Sequence, residues 1–334
     1  MLTLQVVAFV GAAMLLPTGA ILIAFGLRRP RPSLTPRTAA VAGGLVPHPI
    51  RRLVSADHRS TFSERQECRL RLGPKYDTHL VVVADNLARR PAALRGITME
   101  QNDLPIDDLV TVSTYLHGPP TGLDRALRNG TTESHRAVIA CLVSGLRRFP
   151  FHQGPCYGIA RAVGVPLDVY QPGRTIVEPA FIRTDTGWSP AKSDGLAGND
   201  TEIVFAFWSR TGRQVGALGS GSDTVLFTAG TSFRVLAVLP AAAGGGPGVV
   251  FLDEHPTATR SVRGGLPVPL GLGQRRILAQ LRRQLTAVAA TPGSTKPGTA
   301  RTANLHPLPE LSFTPGFDET GRPYQEEPGQ PHEP

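Results

Sequence analysis

The stretch from Tyr157 to Val238 constrains the fold more than any other part of the chain. It holds short runs rich in β-branched and aromatic residues, and glycine, proline or polar turns separate each run from the next. This punctuation is typical of short strands in a compact sheet. Because helical patterns precede these runs, we predict an α+β domain in which helices pack on a split antiparallel β-core.

Residues 203–208 are apolar on both faces, which predicts an interior strand of that core. The other predicted strands are residues 174–181, 214–218, 224–228, 232–239 and 248–252. Before them, Thr61 and Glu64 have the spacing of a capping box at the start of a helix. Residues 80–84 fit either a buried strand or a helix, since periodicity does not separate the two. Residues 134–148 give the clearest amphipathic helix.

The N-terminal residues 2–27 are apolar and carry no charge, which is enough for a helix to cross a bilayer. Arg28, Arg29, Arg31 and Arg37 follow directly. By the positive-inside rule we predict a single-pass protein of the cell membrane, with its body in the cytoplasm. An atypical export signal with an extracellular body is the competing interpretation.

Composition divides the rest of the chain into attachments around one domain. The predicted divisions are a transmembrane helix (1–27), a basic Pro-rich linker (28–58), a helical N-terminal extension (59–104), the main domain (105–255), a linker with a basic amphipathic helix (256–290) and a disordered tail (291–334). The basic helix either docks on the domain or lies on a membrane surface.

The formal net charge of +9 argues less for nucleic acid than for a membrane-facing basic segment. The arginines cluster beside the apolar N-terminus and in a late helix, with few aromatic residues among them to stack on bases. Three cysteines, Cys68, Cys141 and Cys156, form no C-x-x-C pair, so they predict neither a disulfide framework nor a zinc site. We predict no bound metal.

Five segments resemble, in their order and spacing, the arginine-specific mono-ADP-ribosyltransferase family. They are Asp107–Asn129, Pro155-Cys-Tyr157, Tyr170-Gln-Pro-Gly173 with Glu178-Pro-Ala-Phe181, Phe205–Leu218, and Val225-Leu-Phe227 with Ala229-Gly-Thr231. The resemblance covers roughly residues 105–253. It implies the toxin-like ADP-ribosyltransferase fold, NAD as substrate and transfer to a protein target.

The resemblance also implies an arginine, a serine and a glutamate, and this chain departs from all three. Gly158 follows Tyr157 where the family has the arginine that holds NAD phosphate. Arg183 stands two residues after Phe181, at the serine position. Thr224 stands at the glutamate position, where the family's carboxylate stabilises the positive charge of an oxocarbenium-like state.

Neighbouring residues could replace the missing groups. Arg161 and Arg183 offer positive charge, although Arg161 reaches the face of Gly158 only if a bulge re-aims it. Thr184 offers a hydroxyl, and Trp188 could stack on nicotinamide. The catalytic candidates are Thr224, Ser222 and Asp223, and the cofactor-binding candidates are Tyr157, Gly158, Arg161, Phe181, Arg183, Thr184 and Trp188.

Three functional hypotheses follow. The first is a membrane-anchored, catalytically impaired ADP-ribosyltransferase-like domain, a pseudoenzyme that binds NAD weakly or binds a protein. The second is an active transferase or NAD glycohydrolase with rearranged catalytic residues. The third is a structural membrane protein whose resemblance to the family is fortuitous.

Overall fold

The computed structural model describes the greater part of the chain from residue 54 onward. The described residues are 54–89, 106–118, 121–162, 167–187, 201–218, 223–241, 247–255, 268–290, 310–311, 313–318 and 321–324. The predicted transmembrane helix, and the linker up to residue 53, lie outside them. Within the described residues, no helix is both long enough and apolar enough to span a membrane.

Helices precede the strands, so the α+β prediction is confirmed. The helices are α1 (Phe62–Leu72), α2 (Pro74–Arg89), α3 (Ile106–His117), α4 (Thr121–Arg128), α5 (Arg136–Leu146) and α6 (Leu272–Ala290). The strands are β1 (Gly154–Ala162), β2 (Thr175–Glu178), β3 (Ile182–Asp185), β4 (Thr201–Ser209), β5 (Arg213–Gln214), β6 (Thr224–Phe227), β7 (Thr231–Leu239), β8 (Gly248–His255) and β9 (Glu310–Leu311).

The strands form one sheet in the order β2-β7-β8-β4-β1-β3-β6-β5, with β9 attached to β1. The sheet nearly divides between β1 and β3, which share the single residue pair Tyr157↔Asp185. The predicted interior strand, β4, lies between β8 and β1 as expected. The expectation of a purely antiparallel core is wrong, because β4 pairs with β8, and β1 with β9, in parallel. Both parallel pairs join segments that are far apart in sequence, which local patterns do not reveal.

Three apolar clusters show how the layers pack. The inner cluster combines side chains from both halves of the sheet, among them Phe205, Phe227 and Phe233. A second cluster packs α2, α3 and α5 against residues that include Phe181 and Leu226. A third packs α6 on the face formed by β4, β7 and β8. The basic amphipathic helix therefore docks on the domain.

The helical layer is held by a close approach of α3 and α5. A Cβ on Gly145 would stand 2.6 Å from the backbone oxygen of Asp108, so only glycine fits there. The Asp108 carboxylate accepts hydrogen bonds from Ser60 (2.7 Å) and Ser144 (2.5 Å). The predicted capping box is present at α1, where Thr61 and Glu64 exchange hydrogen bonds of 2.7 and 3.3 Å.

Part of the predicted disordered tail is ordered, so that prediction is wrong for residues 310–311, 313–318 and 321–324. Leu311 and Phe317 belong to the inner cluster, and β9 pairs with Ile159 and Ala160 of β1. The composition is rich in proline and glycine, but it also contains aromatic residues that find buried partners. Those partners are residues much earlier in the chain, and the composition of the tail alone does not identify them.

Candidate functional site

The three segments predicted to carry the chemistry are neighbouring strands, β1, β3 and β6. One row of paired residues crosses all three, with Tyr157 opposite Asp185 and Asp185 opposite Thr224. Paired residues of an antiparallel ladder point to the same side of a sheet. The three segments are therefore side by side in the sheet, and the row identifies which positions share a face.

Gly158, which stands where the family has an arginine, lies on the inner side of the sheet. A Cβ added there would stand 3.2 Å from the side chain of Leu311 in β9. The preceding residue, Tyr157, points the other way and donates a hydrogen bond from its hydroxyl to Oε1 of Gln284 in α6, at 3.1 Å. Gly158 is therefore covered by the C-terminal segment and does not face Arg183 and Thr224.

Arg183 is half-buried on the outer, helical side of β3. Its guanidinium donates a hydrogen bond of 2.9 Å to the backbone oxygen of Leu116, at the end of α3. Its Nε is buried and has no hydrogen-bond partner among the described residues. Thr224 shares this side, because it pairs with Asp185, two residues along the strand from Arg183. We call Arg183, Asp185 and Thr224 the β3–β6 face.

The remaining candidates on these two strands are engaged in the fold. Thr184 is fully buried on the inner side and donates from its hydroxyl to the backbone oxygen of Val225, at 3.2 Å. Thr224 itself is 2% exposed. The Asp223 backbone oxygen accepts a hydrogen bond of 2.9 Å from the amide of Thr186. As the chain is folded, neither threonine presents its hydroxyl to solvent.

Phe181 lies in the core beneath α3 rather than in an open cleft. Its ring packs against Tyr115, with ring centroids 5.5 Å apart. The Tyr115 hydroxyl donates to both carboxylate oxygens of Asp124, at 3.0 and 3.1 Å. Burial raises the pKa of Asp124 to about 7, although the hydrogen bond from Tyr115 opposes that rise. Asp124 is therefore about half protonated near pH 7.

Three predicted residues fall partly or wholly outside the described part of the chain. Trp188 and Ser222 are not among the described residues, and of Arg161 only the backbone is described. The bulge that could re-aim Arg161 is absent from the pairing of β1 with β4, which runs in unbroken register from Gly154 to Ala162. The roles of these three residues stay predictions.

Sequence reasoning missed Asp185. It lies between Tyr157 and Thr224 in the row that crosses the three strands, and it shares the side of Arg183. The signal was present in the sequence, because Asp185 is two residues beyond Arg183 and period-two alternation puts both on one face. The family's glutamate position is at Thr224, and only acidic residues near Thr224 were considered as candidates.

A second polar group missed from the sequence is a buried ion pair between α4 and the end of β2. Arg128 is 8% exposed, Glu178 is fully buried, and Nη1 of Arg128 lies 2.7 Å from Oε1 of Glu178. Arg128 also donates to the backbone oxygens of Thr314 (3.1 Å) and Phe317, while Gly316 donates its amide to Glu178 at 2.8 Å. We call this ion pair, with the segment seated on it, the Arg128–Glu178 slot.

Aromatic rings and opposing charges complete the slot. The Arg128 guanidinium lies 4.1 Å from the ring centroid of Phe313 and 5.1 Å from that of Tyr324. Burial raises the pKa of Glu178 even though the Arg128 charge opposes the rise. For Arg128, burial is the largest influence and acts to lower the pKa, but the charge and hydrogen bond of Glu178, together with Tyr324 and Tyr170, raise the pKa overall. The slot holds the C-terminal segment through charge, hydrogen bonds and ring contacts together.

Two of the residues at the predicted cofactor positions, Gly158 and Arg183, do not fit the role of holding NAD phosphates as the chain is folded. Gly158 offers no side chain and is covered by Leu311, and Arg183 is tied to the end of α3. Anion recognition of this kind needs a guanidinium fork free to face the phosphate. No group of three or more histidine, cysteine, aspartate or glutamate residues within the described ranges could hold a metal ion.

Comparison with known proteins confirms the resemblance to ADP-ribosyltransferases. The chain is 36% identical over 139 residues to Mav of Mycobacterium avium (strain 104), which is named as an NAD(+)–arginine ADP-ribosyltransferase. The match covers 40% of this chain and spans only 16% of the length of that relative. No family model matches the chain.

Solved structures of bacterial effectors are similar in part. The type III effector XopAI of Xanthomonas axonopodis pv. citri superposes with a TM-score of 0.48 at 18% identity, covering 62% of this chain and 95% of that one. The ADP-ribosyltransferase HopU1 of Pseudomonas syringae pv. tomato gives 0.42 at 16% identity, covering 59% and 99%. The relationship rests on the sequence identity, since superpositions this partial carry no argument of their own.

Proposed function

We propose that this chain, a relative of the arginine-specific ADP-ribosyltransferases, is a catalytically impaired domain that works by binding rather than by transferring ADP-ribose. Its ligand is a protein or an NAD-related molecule held without turnover. The chain spans a small part of the relative that it matches, so the activity of that relative is not carried over to it.

The β3–β6 face is the observation that carries this proposal. At the two positions where the family resemblance implies a serine and a glutamate, the face has Arg183, tied to the backbone oxygen of Leu116, and Thr224, buried and uncharged. A preorganised charge aimed at the transition state is usually the largest single contribution to catalysis, and losing one such group costs roughly 10²–10³ in rate. Threonine accepts a hydrogen bond but cannot supply that charge.

The cover over Gly158 supports the same conclusion independently. Leu311 is 5% exposed and packs where a side chain from Gly158 would extend. A phosphate-binding group at this position would have to displace β9 from β1. The β3–β6 face lacks a carboxylate at the glutamate position, Thr224, whereas Gly158 lacks both a charged side chain and the space for one.

An active enzyme with rearranged groups is the second candidate, and one observation favours it. Arg183 and Asp185 supply one positive and one negative charge on the β3–β6 face, beside Thr224. In this alternative Asp185 takes the place of the missing glutamate and Arg183 holds phosphate. Asp223, the displaced acid suggested by the sequence, lies one residue before Thr224, where period-two alternation points it to the other side.

Release of nicotinamide from NAD distinguishes the two candidates. We would incubate the full chain with NAD and quantify free nicotinamide by mass spectrometry, alongside Arg183→Ala and Asp185→Asn. The matched control for Arg183→Ala is Arg234→Ala. Arg234 is also a half-buried strand arginine that donates to a backbone oxygen, that of Val268 at 2.7 Å, and its Nε also lacks a partner among the described residues.

The impaired-domain proposal predicts release at the level of the protein-free reaction for the wild type and every variant. Turnover above that level that disappears in Arg183→Ala and Asp185→Asn, but survives in Arg234→Ala, would establish the active alternative. Turnover that survives all three substitutions would refute the assignment of the β3–β6 face as the site.

We also propose that residues 2–27 anchor the chain in the cell membrane with the body in the cytoplasm. The support is the uncharged apolar run and the arginines directly after it. The test is a pair of C-terminal reporters, one active only in the cytoplasm and one active only outside it. Activity of the second reporter alone would reverse the orientation, and a chain that stays in the soluble fraction would remove the anchor.

A further inference from the structure

Two of the three cysteines meet between α1 and α5. Cys68 is the one buried residue of α1, and it shares a small cluster with Cys141 and Ala137 of α5. Both cysteines are buried in this cluster, and Sγ of Cys68 lies 3.2 Å from Oγ1 of Thr111 in α3. Neither cysteine is disulfide-bonded in this structure. The two cysteines are 73 positions apart, and the sequence gave no sign of this contact.

From this contact we propose that Cys68 and Cys141 form a reversible disulfide, a redox-modification site that fastens α1 to the domain. The co-reactant is a small-molecule disulfide such as oxidised glutathione. This site is separate from the β3–β6 face and does not depend on the proposed function. Its consequence is mechanical, because the bond would link the N-terminal helices covalently to the α3–α5 layer.

The chemistry balances as two successive thiol–disulfide exchanges. The Cys68 thiolate attacks one sulfur of oxidised glutathione, which forms a mixed disulfide and releases the first glutathione thiolate. The Cys141 thiolate then attacks Sγ of Cys68, which forms the Cys68–Cys141 bond and releases the second. The two protons lost by the protein thiols end on the two glutathiones, so one disulfide is reduced as the other forms.

Cys68 is suited to be the attacking group. In the closed contact, the neighbouring Cys141 thiol lowers the pKa of Cys68, while Cys68 raises that of Cys141. A thiolate is the nucleophile in exchange, and the Cys68 thiol moves into solvent with α1 when that helix opens. Access requires α1 to lift from the domain. That opening is favoured by local structure, since Cys68 is the sole buried side chain of this helix.

Cys156 is a built-in control. It is also fully buried, but it lies in the inner cluster of the sheet, where burial raises the pKa of its thiol. A chain that oxidises through nonspecific unfolding would pair Cys141 with Cys156 most often, because these two cysteines close the shortest loop. A chain that oxidises through the contact between α1 and α5 would pair Cys68 with Cys141 alone.

The test equilibrates the full chain in a glutathione redox buffer, blocks remaining thiols, and maps linked peptides by mass spectrometry without reduction. The proposal predicts that the Cys68–Cys141 peptide accounts for at least about tenfold more signal than both Cys156-linked peptides together. It also predicts that oxidation raises the midpoint of thermal unfolding by roughly 5–10 °C, as expected for closing a long loop. Cys156→Ala should keep both effects and Cys141→Ala should lose both.

Two results would overturn the proposal. One is a fully reduced Cys68 and Cys141 at equilibrium in buffers that oxidise Cys156 or small dithiols. The other is a mixture in which the Cys156-linked peptides together give as much signal as the Cys68–Cys141 peptide, or more. The equilibration is repeated in mild urea, below the unfolding transition, because local opening is then faster. Slow access to the two thiols then cannot conceal a favourable disulfide.

Discussion

The β3–β6 face and the Arg128–Glu178 slot differ in where the chain places its buried charge. On the β3–β6 face, the positions that should stabilise a reacting substrate hold a guanidinium bonded to a backbone oxygen and a buried threonine. In the slot, a fully buried carboxylate faces a guanidinium at 2.7 Å, and both bind the backbone of residues 314–317. The strongest electrostatic arrangement in the described structure therefore serves a peptide segment of the chain itself.

This difference teaches that family landmarks and family chemistry are separable. The strand order β1-β3-β6 is the order that the resemblance requires, and it is held by apolar packing on both sides. Packing of that kind does not depend on a reactive residue at any one position. A domain can therefore keep its architecture with Arg183 and Thr224 at two of the family's positions and with the C-terminal segment covering Gly158.

The largest effect we predict is in the slot. Glu178→Gln leaves Arg128 buried without an opposing charge, so it should lower the free energy of unfolding by about 3–5 kcal/mol. Urea titration of the full chain measures this. The control is Glu67→Gln, which removes an exposed pair with Arg71 at 3.4 Å and should cost less than about 0.5 kcal/mol. Equal losses in the two variants would mean that the slot is not the tighter region.

The next effect is the pH dependence that Asp124 adds beneath Tyr115. Its pKa is about 7 in the folded chain, against about 4 when unfolded. Between these values the folded state holds a proton that the unfolded state has lost, so this group's contribution to stability falls as pH rises. Asp124→Asn removes that dependence. Between pH 5 and pH 8, the free energy of unfolding of the variant should therefore fall by about 3 kcal/mol less than that of the wild type. An unchanged pH dependence would contradict the burial of this carboxyl group.

A third prediction concerns Leu311, which covers Gly158 from the C-terminal segment. Leu311→Ala opens a cavity in the inner cluster and should cost about 2–4 kcal/mol in unfolding free energy, whereas Leu70→Ala on exposed α1 should be near neutral. Nicotinamide release from NAD should stay at background in both variants, because uncovering Gly158 supplies no charge. Turnover gained by Leu311→Ala would mean that the cover, rather than the missing groups, suppresses activity.

The smallest effect tests the contact at Gly158 itself. Gly158→Ala introduces a Cβ at 3.2 Å from Leu311 and should cost about 1–3 kcal/mol through overpacking. Gly122→Ala, in α4, introduces a Cβ with nothing within 4 Å and should be neutral or slightly stabilising. Matched denaturant curves for the two variants measure the difference. Equal free energies of unfolding for the two variants would show that β9 shifts without cost to accommodate a side chain at Gly158.

Local patterns predicted much of the architecture. The capping box at Thr61, the interior position of β4 and the docking of α6 follow from periodicity and turn chemistry within a few residues of each feature. The C-terminal segment did not, because its order depends on Arg128 and Glu178, more than 130 residues away. The Cys68–Cys141 contact and the parallel pairs were missed for the same physical reason.

The candidate site also contains features that local patterns predict and features that they do not. Register along one strand put Arg183 and Thr184 on opposite sides, as alternation predicts. The face of Gly158, by contrast, depends on how β1 pairs with β3 and β9, and the sequence around Tyr157 contains no information on either partner. Alternation alone predicts that Asp185 shares a face with Arg183. Asp185 was missed because acidic candidates were considered only next to Thr224.

The central claim is that the domain keeps the architecture of an ADP-ribosyltransferase without its turnover. The most direct measurement is a time course of nicotinamide release from NAD by the full chain, at enzyme concentrations high enough to detect a single turnover. The account predicts a rate equal to that of NAD alone. A rate above it that falls to background in Arg183→Ala and persists in Arg234→Ala would contradict the account and identify a working enzyme.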